Sequence, residues 1–294
     1  MTIRQRQALW AYAFLAVPAV FYSVIRFYPA LDSFWLSFHR WSLLGRPPRF
    51  AGADNYLRLW EDEVFWQALW NSAWYVLYGL PSGLILSFAI AYFLDKVTRG
   101  QGLLRALYFL PYLVSTVAVA WIWRWFYQPP PIGLFNDILG RFGVPAQPFL
   151  LSTSQSLPAI SAAMVWTSLG FNVVIFLAGI RAIPGDYYEA ARIDGASAWQ
   201  VLKRITLPLL KPTIVFLVII NTIQLLRIFD QVFNMTSEGQ GGPLNATKPL
   251  VMFIYQTAFV RFDMGYASAG TVVLFMILLA ITLVQLRVLG KQPQ

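Results

Sequence analysis

Asn221, Gln224, Arg227, Asp230 and Gln231 interrupt an apolar run, and at about 100° per residue all five fall within one half of a helix. Amides in an apolar setting have two uses. They can bond a neighbouring helix, or they can match the hydroxyl groups of a polar solute, because each unpaired buried polar group costs about 2–7 kcal/mol. Asn221 is expected near the middle of the run and Gln224 slightly beyond it. Asn172 and Trp166, on an earlier apolar run, reach comparable depth from the opposite end. Both uses stay open for these four residues. Arg227 and Asp230, three apart, are expected to pair with each other near the edge of the run, and a solute carrying phosphate would instead make Arg227 a ligand.

An intramembrane enzyme would need paired acids, a His or Ser/Lys constellation, or a metal set. The chain has no cysteine and one histidine, His39, so thiolate and histidine-cluster metal sites are excluded and an enzyme is argued against. No GxxxxGK[ST] phosphate loop occurs, so if ATP is used, another chain binds it together with its Mg, and this chain binds no cofactor. An ion-coupled carrier built from inverted repeats would show internal symmetry, and none is seen.

The elements that position these residues must lie in a membrane. Of 294 residues, 58% are hydrophobic and 12% charged, which reads as an all-α polytopic membrane protein. A span needs roughly 20 apolar residues. About six segments qualify: 9–31, 71–94, 104–127, 157–180, 209–233 and 264–289. A short surface helix is expected near 55–69, and 128–156, with Pro129, Pro130 and Pro131, reads as irregular. The net charge of +9 does not signal nucleic acid, because the basic residues concentrate in short loops beside the spans. Arg4 and Arg6, then Lys96, Arg99 and Arg105, then Arg181 to Lys211, then Arg287 and Lys291 all fall on one side, which predicts that both termini are cytoplasmic. Arg40, Arg46, Arg49 and Arg58 on the other side are offset by Asp54, Glu61, Asp62 and Glu63.

The longest polar segment between two spans is 188–208. Pro184 can open a helix with Asp186 and Glu189 in its first turn, Glu189 and Arg192 are spaced to pair, and Gly195 can end it in the left-handed conformation. A second helical run, 196–205, follows with Lys203 and Arg204 in its last turn, and Pro208 is expected to halt it.

Glu189, Ala190 and Ala191, then Gly195 after three intervening residues, and Ile205, Leu207 and Pro208 after nine more resemble the EAA signature of membrane subunits of binding-protein-dependent ABC importers. In that family the loop, here 182–208, is cytoplasmic and docks on an ATPase. The resemblance thus implies coupling roles for these residues and for Asp194 between them. Further along, Gly241-Gly242-Pro243, Ala258-Phe259 and Gly265 to Ala269, together with Asn55-Tyr56, Phe65-Trp66 and Asn71, are similar to the carbohydrate branch that includes maltose-type and glycerol-phosphate-type permeases. The first, maltose-F-like subunit is the nearer pattern, without its extra N-terminal spans or large inserted outer domain. The resemblance implies a single type I ABC importer transmembrane domain over 1–294 in a bacterial or archaeal cell membrane. It also implies a second permease subunit, two ATP-binding subunits, an extracytoplasmic solute-binding protein and a carbohydrate, or alternatively a phosphorylated polyol, as solute.

Overall fold

A computed structural model describes residues 2–289 except 46 and 98. Arg46 and Lys291, which entered the orientation argument, lie outside the described residues. Two compact units are present, Met1–Asp62 with Ile254–Met276, and Glu63–Phe253 with Ile277–Gln294.

In the first unit, α1 (Ile3–Leu36) is a continuous helix of 34 residues that contains the expected span. Thr2 caps it in a reciprocal box with Gln5. Its Pro29 follows a π-helical stretch, Ser23–Phe27, in which the backbone bonding shifts by one residue around the missing proline N–H. A hairpin of β1 (His39–Arg40) and β2 (Arg49–Phe50) comes next. It is followed by α2 (Asp54–Glu61), whose buried Asn55 donates to the carbonyls of Ser37 at 2.9 Å and His39 at 3.0 Å. The single surface helix expected over 55–69 is corrected here. Asp62, in extended conformation, ends α2, and residues 63–69 begin the next helix.

The second unit begins with α3 (Glu63–Asp95), followed by α4 (Gln101–Leu113) and α5 (Thr116–Phe126), which are bent by 95°. Residues 128–156 are less irregular than expected, since α6 (Leu134–Arg141) forms there and the buried Asn136 amide ties it to the carbonyls of Gln128 and Gln147. Then come α7 (Ser156–Arg181), α8 (Gly185–Ile193), α9 (Ala198–Leu209) and α10 (Lys211–Leu226), the last two bent by 64°. After α11 (Asp230–Met235), α12 (Leu250–Val260) and α13 (Met264–Leu289) follow in the chain, with Ile254–Met276 belonging to the first unit. Among the described residues, four helices are long and apolar enough to cross a membrane, and six spans result if each bent pair is one.

The fifth expected span, 209–233, is not one helix. Arg227 caps α10, and Asp230 opens α11 after Phe229 adopts φ −143° and ψ −60°. Small residues let α3 approach its neighbours through Gly79, Gly83, Ser87 and Ala91, spaced one per turn and partly or fully buried. Closer still is Gly170 of α7, where a Cβ would come within 2.5 Å of the Tyr108 carbonyl oxygen and 2.8 Å of the Phe109 Cα. Two apolar clusters result. One is built on Tyr75, Ile160, Met164 and Leu225, the other on Leu94, Val173, Phe176 and Leu217. Along α7 the first ends at Met164 and the second starts at Val173, which leaves the polar Thr167, Ser168 and Asn172 between them.

Candidate solute cavity and coupling loop

That polar gap is a cavity of about 180 Å³ in the second unit. Gly79 of α3, Tyr112 and Thr116 at the α4–α5 bend, Met164, Val165, Thr167 and Ser168 of α7, and Asn221, Gln224, Leu225, Ile228 and Gln231 line it. The bend presents Tyr112 and Thr116 because Pro111 lacks a backbone donor and Val114 is extended, so the chain turns inside an apolar run.

The expected residues divide sharply. Asn221 donates to Asn172 Oδ1 at 3.0 Å and to the Leu217 carbonyl at 2.8 Å, and Asn172 donates back to Asn221 Oδ1 at 3.3 Å. Both Nδ2 protons of Asn221 are thereby engaged, so toward the cavity it can only accept. Asn172 is buried and lies behind the wall. For this pair the helix-joining use of an amide is realised. Gln224 is exposed to the cavity, and its amide has no protein partner among the described residues, as is also true of Gln231. Trp166 does not line the cavity. It packs edge-on against Trp123 at 5.8 Å. Arg227 is exposed and outside the lining, and no ion pair joins it to Asp230 among the described residues. The expected pair is broken because the helix ends between them and removes the i, i+3 spacing on which it depended.

Sequence reasoning missed Tyr112, Thr116, Thr167 and Ser168. Thr167 and Ser168 are hard to find because each bonds its own helix, to the carbonyls of Ala163 at 2.9 Å and Val165 at 3.0 Å, and so is tolerated in any apolar helix. The visible signal for Thr116 was Pro111 followed by Ser115 within an apolar run.

In the segment 182–208, Gly195 takes φ +70°. The Gly195 N–H donates to Arg192 O at 3.1 Å and the Ala196 N–H to Ala191 O at 2.9 Å, the two bonds of a Schellman ending. Ser197 then caps α9 in a reciprocal box with Gln200. Ala190, Ala191, Asp194, Gly195 and Ile205 come together around one cleft of about 450 Å³, whereas Glu189, Leu207 and Pro208 lie outside it. Three expectations fail here. No ion pair joins Glu189 to Arg192 among the described residues. Only Asp186 stands in the first turn of α8. And Pro208 does not halt the second helix, because the π-helical stretch Leu202–Thr206 re-routes the bonding ahead of it, so α9 runs on to Leu209 with Lys203 and Arg204 in its middle.

Residues 66–291 match the family described as binding-protein-dependent transport system inner membrane component. The chain is 34% identical to the trehalose/maltose transport system permease protein of Thermococcus litoralis, over 97% of this chain and 95% of that one. It is also 34% identical to the sulfoquinovosyl glycerol transport system permease protein of Agrobacterium fabrum, over 96% and 90%. A permease protein of an sn-glycerol-3-phosphate transport system from the same organism is 34% identical over 95% and 94%. Among solved structures, a bacterial ABC transporter involved in import of the acidic polysaccharide alginate has a chain with the same fold, at TM-score 0.86 and 23% identity over 98% of each chain. Four to six apolar spans, a polar cavity between apolar clusters and matches over most of its length agree: the chain belongs to the binding-protein-dependent transport system inner membrane component family, as a multi-pass permease subunit and not an enzyme.

Proposed function

We propose that this permease carries a neutral carbohydrate for an ATP-driven importer through the cavity at Gln224 and Gln231, with residues 182–208 as the coupling segment. The observation that carries the reading is the cavity lining, which offers free amides and hydroxyls but no Asp, Glu, Lys, Arg or His. Hydroxyl groups leaving water need such partners, whereas a phosphate ester would need a cation, and Arg227 is outside the wall. Relatives named for trehalose/maltose and lactose transport support the class. The phosphorylated-polyol alternative rests on the relative named for sn-glycerol-3-phosphate and has no cationic group in the cavity to support it.

ATP and Mg belong to two partner ATPases in this reading, and a second permease subunit and a solute-binding protein complete the assembly. The concave face around Ala190, Ala191 and Gly195 receives the ATPase, and its movement switches the cavity between the two sides of the membrane. The basic flanks put this segment and both termini in the cytoplasm. Because the chain has no cysteine, Ser197→Cys and Ser237→Cys each report alone, and they should label from opposite sides. The solute class is tested by purifying the importer's binding protein and identifying what it retains by mass spectrometry. A neutral sugar or polyol is expected, and an anionic solute contradicts the reading.

A further inference from the structure

A second cleft, of about 540 Å³ against about 180 Å³ for the cavity above, opens at the N-terminal end of α7, the end away from 182–208. Trp74 and Tyr78 of α3 form one wall, with ring centroids 5.4 Å apart and planes 22° apart, and each residue is 45% exposed. Thr153 and Ser154, just before α7, form the opposite rim. The floor is fixed. Gln67 donates to the Leu244 carbonyl at 2.8 Å, and Asn71 donates to the carbonyls of Asn245 at 2.8 Å and Lys248 at 3.0 Å, so the loop behind the aromatic pair is tied to α3. Tyr78 keeps a hydroxyl with no protein partner among the described residues.

We infer that this cleft is an outer saccharide subsite that receives a neutral sugar ring before it reaches the inner cavity. A sugar ring is apolar on the faces that carry its C–H bonds and polar at its edge. The outward face of the stacked aromatic pair matches the first, and the hydroxyls of Tyr78, Thr153 and Ser154 match the second. Lipid is the wrong occupant, because the hydroxyls of Tyr78 and Thr153 would face hydrocarbon without partners. The two sites are distinct but adjoin, since Pro158 and Met164, the nearest lining residues on α7, are about 9 Å apart along the helix at its usual rise, and Tyr78 and Gly79 of α3 are neighbours. They are also in series, since α3 and α7 line both. The cleft suits a solute of more than one ring, with one unit on the aromatic pair while another is admitted inward. This inference rests on the carbohydrate reading of the inner cavity.

Single cysteines in an otherwise cysteine-free chain separate the two sites. Ser154→Cys reports on the outer cleft and Ser168→Cys on the inner cavity, each alkylated by a hydrophilic maleimide in the assembled importer in lipid nanodiscs, with maltotriose as the probe. At twice its dissociation constant the sugar should slow labelling of Ser154→Cys about threefold, and adding Trp74→Leu should remove that protection. Protection at Ser168→Cys alone, or protection at Ser154→Cys that survives Trp74→Leu, overturns the outer subsite. Protection at Ser154→Cys alone keeps it and instead removes the inner cavity from the path. No protection at either position overturns both.

Discussion

In the segment 182–208 the polar groups close on each other. Ser197 and Gln200 cap α9 reciprocally, and the amides of Gly195 and Ala196 satisfy the last carbonyls of α8, while Ile193 and Trp199 stay exposed at 87% and 68%. In the cavity the arrangement is reversed, because apolar residues close the two ends and the amides of Gln224 and Gln231 face the open space without protein partners. The first pattern suits a rigid piece with apolar side chains free to meet another protein. The second suits a wall that exchanges hydrogen bonds with a guest. Asn172 and Asn221 stand between the two patterns, as a closed amide pair that holds α7 to α10 beside the open cavity.

The largest effect is expected at that pair. Asn172→Leu leaves the Asn221 carbonyl oxygen without its buried donor and should lower the stability of the assembled importer by about 1–3 kcal/mol, while Asn172→Leu with Asn221→Leu together should recover part of the loss. Thermal unfolding in nanodiscs reads both. A single variant as stable as the wild type would show that the pair is not structural. Gly195→Val comes next, since a β-branched residue at φ +70° costs about 1–3 kcal/mol of local strain. It should abolish solute-stimulated ATP hydrolysis while the permease still inserts, and unaltered stimulation would break the rigid-piece side of the comparison. Ser197→Ala removes a helix cap worth about 1 kcal/mol. Hydrogen exchange at the start of α9 should quicken, with none of the change reaching α10.

The fold was legible where composition and spacing act locally. Six apolar runs of sufficient length, the Gly195 ending and the Asp186 position all follow from residue type alone. Proline was the main source of error. Pro208 was expected to stop a helix, but π-helical bonding over Leu202–Thr206 absorbs the missing donor, as Ser23–Phe27 does ahead of Pro29. Asp62 broke a helix with no glycine or proline to announce it. In the cavity, Asn221 and Gln224 were visible as amides in an apolar run, but which was committed to a partner depended on Asn172, 49 residues away in the chain. Thr167 and Ser168 were hidden because their hydroxyls bond their own helix.

The smallest single effect sharpens the comparison most. Gln224→Ala removes one neutral hydrogen-bonding group worth about 0.5–1.5 kcal/mol, or about two- to tenfold in uptake, without leaving any protein group unpaired. The most direct test of the solute path is uptake into proteoliposomes by the complete importer carrying Gln224→Ala and Gln231→Ala together, measured beside solute capture by the binding protein and thermal stability of the assembly. Uptake should fall about tenfold or more while capture and stability hold; normal uptake in the double variant would contradict a path through this cavity.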